Sequence, residues 1–122
     1  MKGIAFIFMG LATVSALIGM AWGIQMSASG DHSLFPAHAH LNLLGYVSFA
    51  IFAFYYHMVE GADHGFLPKL HAAVAVLGVV LIVPGIVFAI RESGEVLAKA
   101  GSVLTLLSML IFAVVVVTTR RR

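Results

Sequence analysis

Four apolar segments dominate the pattern of this chain: residues 4–25, 37–59, 70–90 and 96–119. Each is close to the ~20 residues with which an α-helix crosses ~30 Å of hydrocarbon. Polar and charged residues collect in the connections 26–36, 60–69 and 91–95 and at the chain ends. Within a bilayer the backbone must satisfy its own polar groups, which each segment can do only as a helix. Residues 1–122 are therefore predicted to form a single transmembrane domain, an all-α integral membrane four-helix bundle. The connections are short, so the expected arrangement is antiparallel and up-down. The first segment is longer than the apolar core of a secretory signal and is read as a retained span.

Composition sharpens that picture. The chain is 61% hydrophobic and 10% charged, with a mean hydropathy of +1.07, values that exclude an ordinary soluble domain. The net charge of +2 rests on seven Lys and Arg. Lys2, Lys69, Arg120, Arg121 and Arg122 fall on the side of the termini, against Arg91 and Lys99 on the other. The positive-inside rule then makes both termini of this multi-pass membrane protein cytoplasmic. This distribution is a topology signal; no nucleic-acid partner is expected. The absence of cysteine excludes disulfides, thiolate ligation of haem, iron–sulfur clusters on Cys and covalent haem attachment. Any cofactor must be held by His, Met or a carboxylate.

Within the spans, Ala12, Ala16, Gly19 and Gly23 recur at helical spacing and mark a packing seam, either inside the bundle or between protomers. Pro84, with Gly78 and Gly85 nearby, predicts a kink in the third span. The fourth span reads as a plain anchor.

Candidate chemistry concentrates at the start of the second span, Pro36-Ala37-His38-Ala39-His40-Leu41-Asn42-Leu43-Leu44-Gly45. Ionisable and polar side chains inside a membrane helix need a functional reason. Imidazole near the end of such a helix is a common way to hold haem iron. His38 and His40 are two residues apart, so at about 100° per residue they point to nearly opposite faces and cannot chelate one ion together. Asn42 and Gly45 follow His38 at +4 and +7, on its face. Asn42 could supply a hydrogen bond, and Gly45 would let a flat macrocycle approach the helix. Pro36 suits a first helical turn, whose positive dipole end would attract haem propionates.

Of the other histidines, His32 and His64 lie in loops beside Asp31 and Asp63, and His57 and His71 are expected to face one another across the second connection.

The segment Ala37–Gly45 resembles the His-x-His helix in the catalytic subunit of haem-copper oxidases and bacterial nitric oxide reductases. The chain as a whole resembles short bacterial membrane proteins that are cytochrome c oxidase subunit I-like and retain a His-Ala-His-x-Asn-Leu-Leu-Gly signature. The resemblance implies that His38 matches the ligand of the high-spin haem and His40 that of the low-spin haem. Adjacent His-His and His-Pro-Glu ligands of the family's second metal are missing from this sequence, so terminal oxidase activity is not expected. Nor does another span carry a His at that depth to complete a low-spin haem. Met20, Met26 or His32 are candidates for the second ligand, and a second copy of His40 across a two-fold axis is the favoured one. The expectation is a b-type haem protein, cofactor-binding through His38, His40, Asn42 and Gly45 with iron on His40 or His38. It would be a homodimer sharing haem, serving electron transfer to a respiratory partner or binding a diatomic gas. The alternative is a non-haem accessory or assembly subunit that binds copper.

Overall fold

A computed structural model describes residues 1–120. Arg121 and Arg122, counted above among the basic residues of the cytoplasmic side, lie outside the described residues. Among these residues, four helices are long and apolar enough to cross a membrane: α1, Gly3–Ser29; α2, Phe35–Met58; α3, Phe66–Ile90; and α4, Val96–Thr119. No strand occurs among the described residues.

α1, α2 and α3 extend beyond their apolar segments at one end or both, because helical hydrogen bonding does not stop where polarity begins, while α4 matches its segment. α1 continues to Ser29 and closes at Gly30, whose φ of 72° suits glycine and whose N–H donates to Met26 O at 3.0 Å. α3 starts at Phe66, after Gly65 at φ 88°. Pro68 sits in its first turn, where a missing N–H costs no internal bond. α3 runs unbroken through Pro84.

α2 is not uniform. It is α-helical over Phe35–His40, π-helical over Leu41–Val47, and α-helical again over Ser48–Met58. The wider turn starts at the residue after His40, and Ser48 Oγ donates to Leu43 O at 2.8 Å where it ends. π-turns inside α-helices are rare and frequent at functional sites.

In lipid, helices associate through close packing and hydrogen bonds, not through water exclusion. Two glycine seams provide the packing. Between α1 and α2, Gly19 lies under Asn42, Gly23 under His38 and Gly45 against Ser15. The small-residue stripe of α1 therefore serves contacts within the chain. Between α3 and α4, a Cβ on Gly85 would meet Leu97 C at 2.6 Å and Ala98 Cα at 2.8 Å, and one on Gly101 would meet Ile82 Cα at 2.6 Å. Backbone touches backbone in this second seam.

The two hairpins join at an aromatic cluster near the start of α1. Phe8 of α1 contacts Phe49, Phe52 and Tyr56 of α2, and Phe112 of α4 approaches Phe52 at 4.6 Å. His71 of α3 is enclosed among these rings. The outward faces, with Phe6, Leu17, Leu106 and Val117, are exposed and apolar, as a lipid-facing surface requires.

Candidate functional site

The 38–45 segment is displayed in two directions. His38, Asn42 and Gly45 face α1, as their spacing predicts, while His40 points elsewhere. His38 Nε2 lies 2.9 Å from Gly19 O. A carbonyl only accepts, so Nε2 carries the ring proton and donates it across the seam. The lone pair is then on Nδ1, which is enclosed without a hydrogen-bond partner. Asn42 Nδ2 donates to His38 O at 2.9 Å. Its approach of 3.2 Å to His38 Nε2 sets two N–H groups side by side, because the Nε2 hydrogen is directed at Gly19. Trp22 stands edge-on to the ring, its centroid at 6.1 Å.

Gly45 is not open to a flat ligand. A Cβ there would come within 2.7 Å of Ser15 Oγ and 3.0 Å of Ser15 Cβ, so α1 covers that face. The open surface lies one to two turns earlier, where Gly19 and Gly23 leave a groove of about 380 Å³ alongside His38, Asn42 and Met20.

His40 has the geometry of a metal-ligating imidazole. Its Nδ1 lies 2.7 Å from Pro36 O and donates to it, fixing the tautomer and the ring orientation. Nε2 keeps its lone pair and has no hydrogen-bond partner among the described residues, and the residue is half-buried at the bundle surface. Iron in haem needs one or two axial side chains, and this donor fits one position. The chain places no second imidazole beside it: His38 is turned to α1, and His32 is held in the loop with Nδ1 3.3 Å from Gly30 O. Among the described residues no three His, Cys, Asp or Glu gather into a metal-binding group.

The loop before α2 is ordered by Asp31, whose Oδ1 accepts the Ser33 N–H at 3.0 Å. That backbone bond, with the Ser33 side chain and the positive charges of His32 and Arg91, holds the Asp31 carboxyl below its ordinary value of 3.8.

At the other end the structure corrects an expectation. His57 and His71 do not pair. His57 is exposed, beside Lys2, Glu60 and His64 at a cavity of about 460 Å³. His71 is fully buried and its Nδ1 lies 2.8 Å from Tyr56 Oη. A step of one residue rotates a side chain by about 100°, which puts Tyr56, not His57, toward α3. His64 and Asp63 form an exposed contact at 3.7 Å, of the kind that contributes little.

The π-turn and the Tyr56–His71 bond were not among the sequence expectations. The pairing of Gly19 and Gly23 with Asn42 and His38 has a signal that could have found it. Both pairs are spaced by four, so two matched i, i+4 faces can lie against each other. No family model, curated protein or solved structure matches this chain.

Proposed function

We propose that this chain is a b-type haem protein of a bacterial inner membrane, with His40 as an axial ligand and one haem shared between the His40 side chains of two copies. One observation carries the reading: the Nδ1–H of His40 is tied to Pro36 O at 2.7 Å, leaving an unpartnered Nε2 on the bundle surface. The likeness of residues 37–45 to the His-x-His helix of haem-copper oxidases and nitric oxide reductases points the same way. With one imidazole per chain held in this way, a two-fold dimer supplies the second ligand by symmetry.

The neighbouring residues have supporting roles in this reading. His38 donates to Gly19 O and Asn42 braces the turn through His38 O, so together they set the rotation of α2 on α1 and the direction of His40. Haem bound there would supply one-electron transfer, and a respiratory partner would exchange electrons with it near the outer face.

That placement follows from an antiparallel, up-down bundle with both termini cytoplasmic. Met1 and Lys2 line one cavity with residues of the loop between α2 and α3, which supports a common side for the N-terminus and that loop. Lys2, Lys69 and Arg120 then face the cytoplasm, with Arg91 and Lys99 opposite.

The test is the visible spectrum of detergent-purified protein, oxidised and dithionite-reduced, with a haemochrome count. The expected result is a Soret band, sharp reduced α and β bands, and one haem per two chains, all lost in His40→Ala. An unchanged spectrum in His40→Ala overturns the ligand assignment. Protein that stays colourless when expressed with excess haem overturns the haem reading. One five-coordinate haem per chain overturns the shared site and turns the function to gas binding.

A further inference from the structure

The aromatic cluster between the hairpins encloses a group that packing alone does not explain. His71 has no exposed surface. Its ring centroid lies 5.3 Å from that of Phe8, 4.5 Å from Phe52, 5.8 Å from Tyr56 and 5.4 Å from Phe112, so α1, α2 and α4 all contribute rings around it. Nε2 is enclosed with no hydrogen-bond partner. An apolar side chain would fill the space without stranding a polar atom, and leaving one stranded costs free energy.

The single hydrogen bond that His71 makes among the described residues leads outward. Tyr56 Oη lies 2.8 Å from Nδ1, and Tyr56 is also part of the wall of the end cavity of about 460 Å³. The cavity carries the Met1 amine, Lys2, His57, Glu60, Asp63 and His64. Among the described residues, Tyr56 is the one titratable side chain in the ring of aromatics packed on His71. α1 brings Phe8 and α4 brings Phe112, while Tyr55, beside Tyr56, has its hydroxyl on Thr119 at 2.8 Å.

We propose that Tyr56 and His71 form a proton-relay pair, which carries a proton from the end cavity to an imidazole inside the bundle. A proton from hydronium in the cavity water adds to Tyr56 Oη while the original O–H proton passes to the His71 Nδ1 lone pair. The hydronium O–H and the original tyrosine O–H break, a new tyrosine O–H and an Nδ1–H form, water is left in the cavity, the hydroxyl is regenerated, and the ring becomes an imidazolium with N–H at both nitrogens. No electron moves. Burial opposes a charged ring, so the imidazolium is a short-lived state of the relay, eased by aromatic faces that attract a cation. Phe52 crosses it at 73°, the arrangement in which a ring N–H can meet a π-face. The relay is independent of haem binding.

The experiment is ¹⁵N NMR of histidine-labelled full-length protein in lipid nanodiscs, following hydrogen–deuterium exchange at the His71 ring nitrogens. The wild type is expected to exchange, and Tyr56→Phe, which keeps the ring and removes only the hydroxyl, to slow the exchange by about tenfold or more. A merely structural hydrogen bond predicts the opposite sign, because its loss loosens the cluster and speeds exchange. A rate unchanged or raised in Tyr56→Phe overturns the relay, as does a wild-type ring that does not exchange. Should Tyr56→Phe not fold, fluorotyrosine incorporation carries the same test in the native fold. A more acidic hydroxyl must change the His71 exchange rate, and an unchanged rate overturns the proposal.

Discussion

The two hairpins close their seams by different means. Between α3 and α4 glycine brings backbone onto backbone, with Gly85 on Leu97 and Ala98 and Gly101 on Ile82. Ser102 and Thr105 turn their hydroxyls back to carbonyls of their own helix, Ala98 O and Ser102 O. Between α1 and α2 polar side chains are interposed: His38 over Gly23, Asn42 over Gly19, Ser15 over Gly45. Both pairs sit in the same solvent, and the α3–α4 pair needs no imidazole or amide. His38 and Asn42 are therefore not demanded by helix packing. A seam of methyl and backbone contacts tolerates rotation, whereas a directed bond such as His38 Nε2–H to Gly19 O fixes it. The rotation of α2 decides where His40 points.

The largest effect is expected where the comparison is sharpest. Gly101→Val drives a branched side chain into the backbone at Ile82, which cannot yield, and should destabilise the α3–α4 pair by about 3 kcal/mol or more, measured by unfolding in mixed detergent. A loss below about 1 kcal/mol would mean that the seam is looser than described. Next is His38→Ala, which removes the bond to Gly19 O and should cost about 1–2 kcal/mol. On the haem reading it keeps the Soret band that His40→Ala loses. Loss of the band in both would make His38 a ligand as well.

Gly19→Ala is smaller, about 1 kcal/mol, because its new methyl meets the end of the Asn42 side chain, which can swing aside. The penalty should largely vanish in an Asn42→Ala background, and a double-mutant cycle reads that coupling. Additive penalties would break the claim that Asn42 occupies the space over Gly19.

Smallest is the pH response of the loop before α2. The Asp31 carboxyl is held below 3.8, so its contribution to folding is present above that value and is lost as the pH falls through the lowered one. Asp31→Asn should abolish that part of the acid response and lower neutral stability by the same small amount. Acid unfolding curves of the two proteins measure it.

Much of the architecture was legible before any coordinates. Four long apolar runs in a chain with so few charges allow little but membrane helices, and their positions agree with the structure to within a few residues. The face shared by His38, Asn42 and Gly45 was also legible, and all three meet α1 even though the π-turn lies between them. What Gly45 touches was not. Spacing says which residues share a face, but not which element covers that face, and here it is Ser15 of α1. The same gap separates the expected His57–His71 pair from the observed Tyr56–His71 bond. Both candidates lie at the end of α2, and only the rotation of α2 against α3 chooses between them.

The sequence by itself determined the helical class, the apolar lengths and the concentration of imidazole and amide at the start of α2, since these follow from local composition and the bilayer's demand for satisfied backbone. Tertiary structure alone decided which nitrogen of His38 and of His71 is engaged, while that of His40 is set within its own helix. His38 is tied through Nε2 to another helix, His40 through Nδ1 to its own, and His71 through Nδ1 to Tyr56. A ring nitrogen's role depends on the donor or acceptor that reaches it, and two of these three partners come from a different helix.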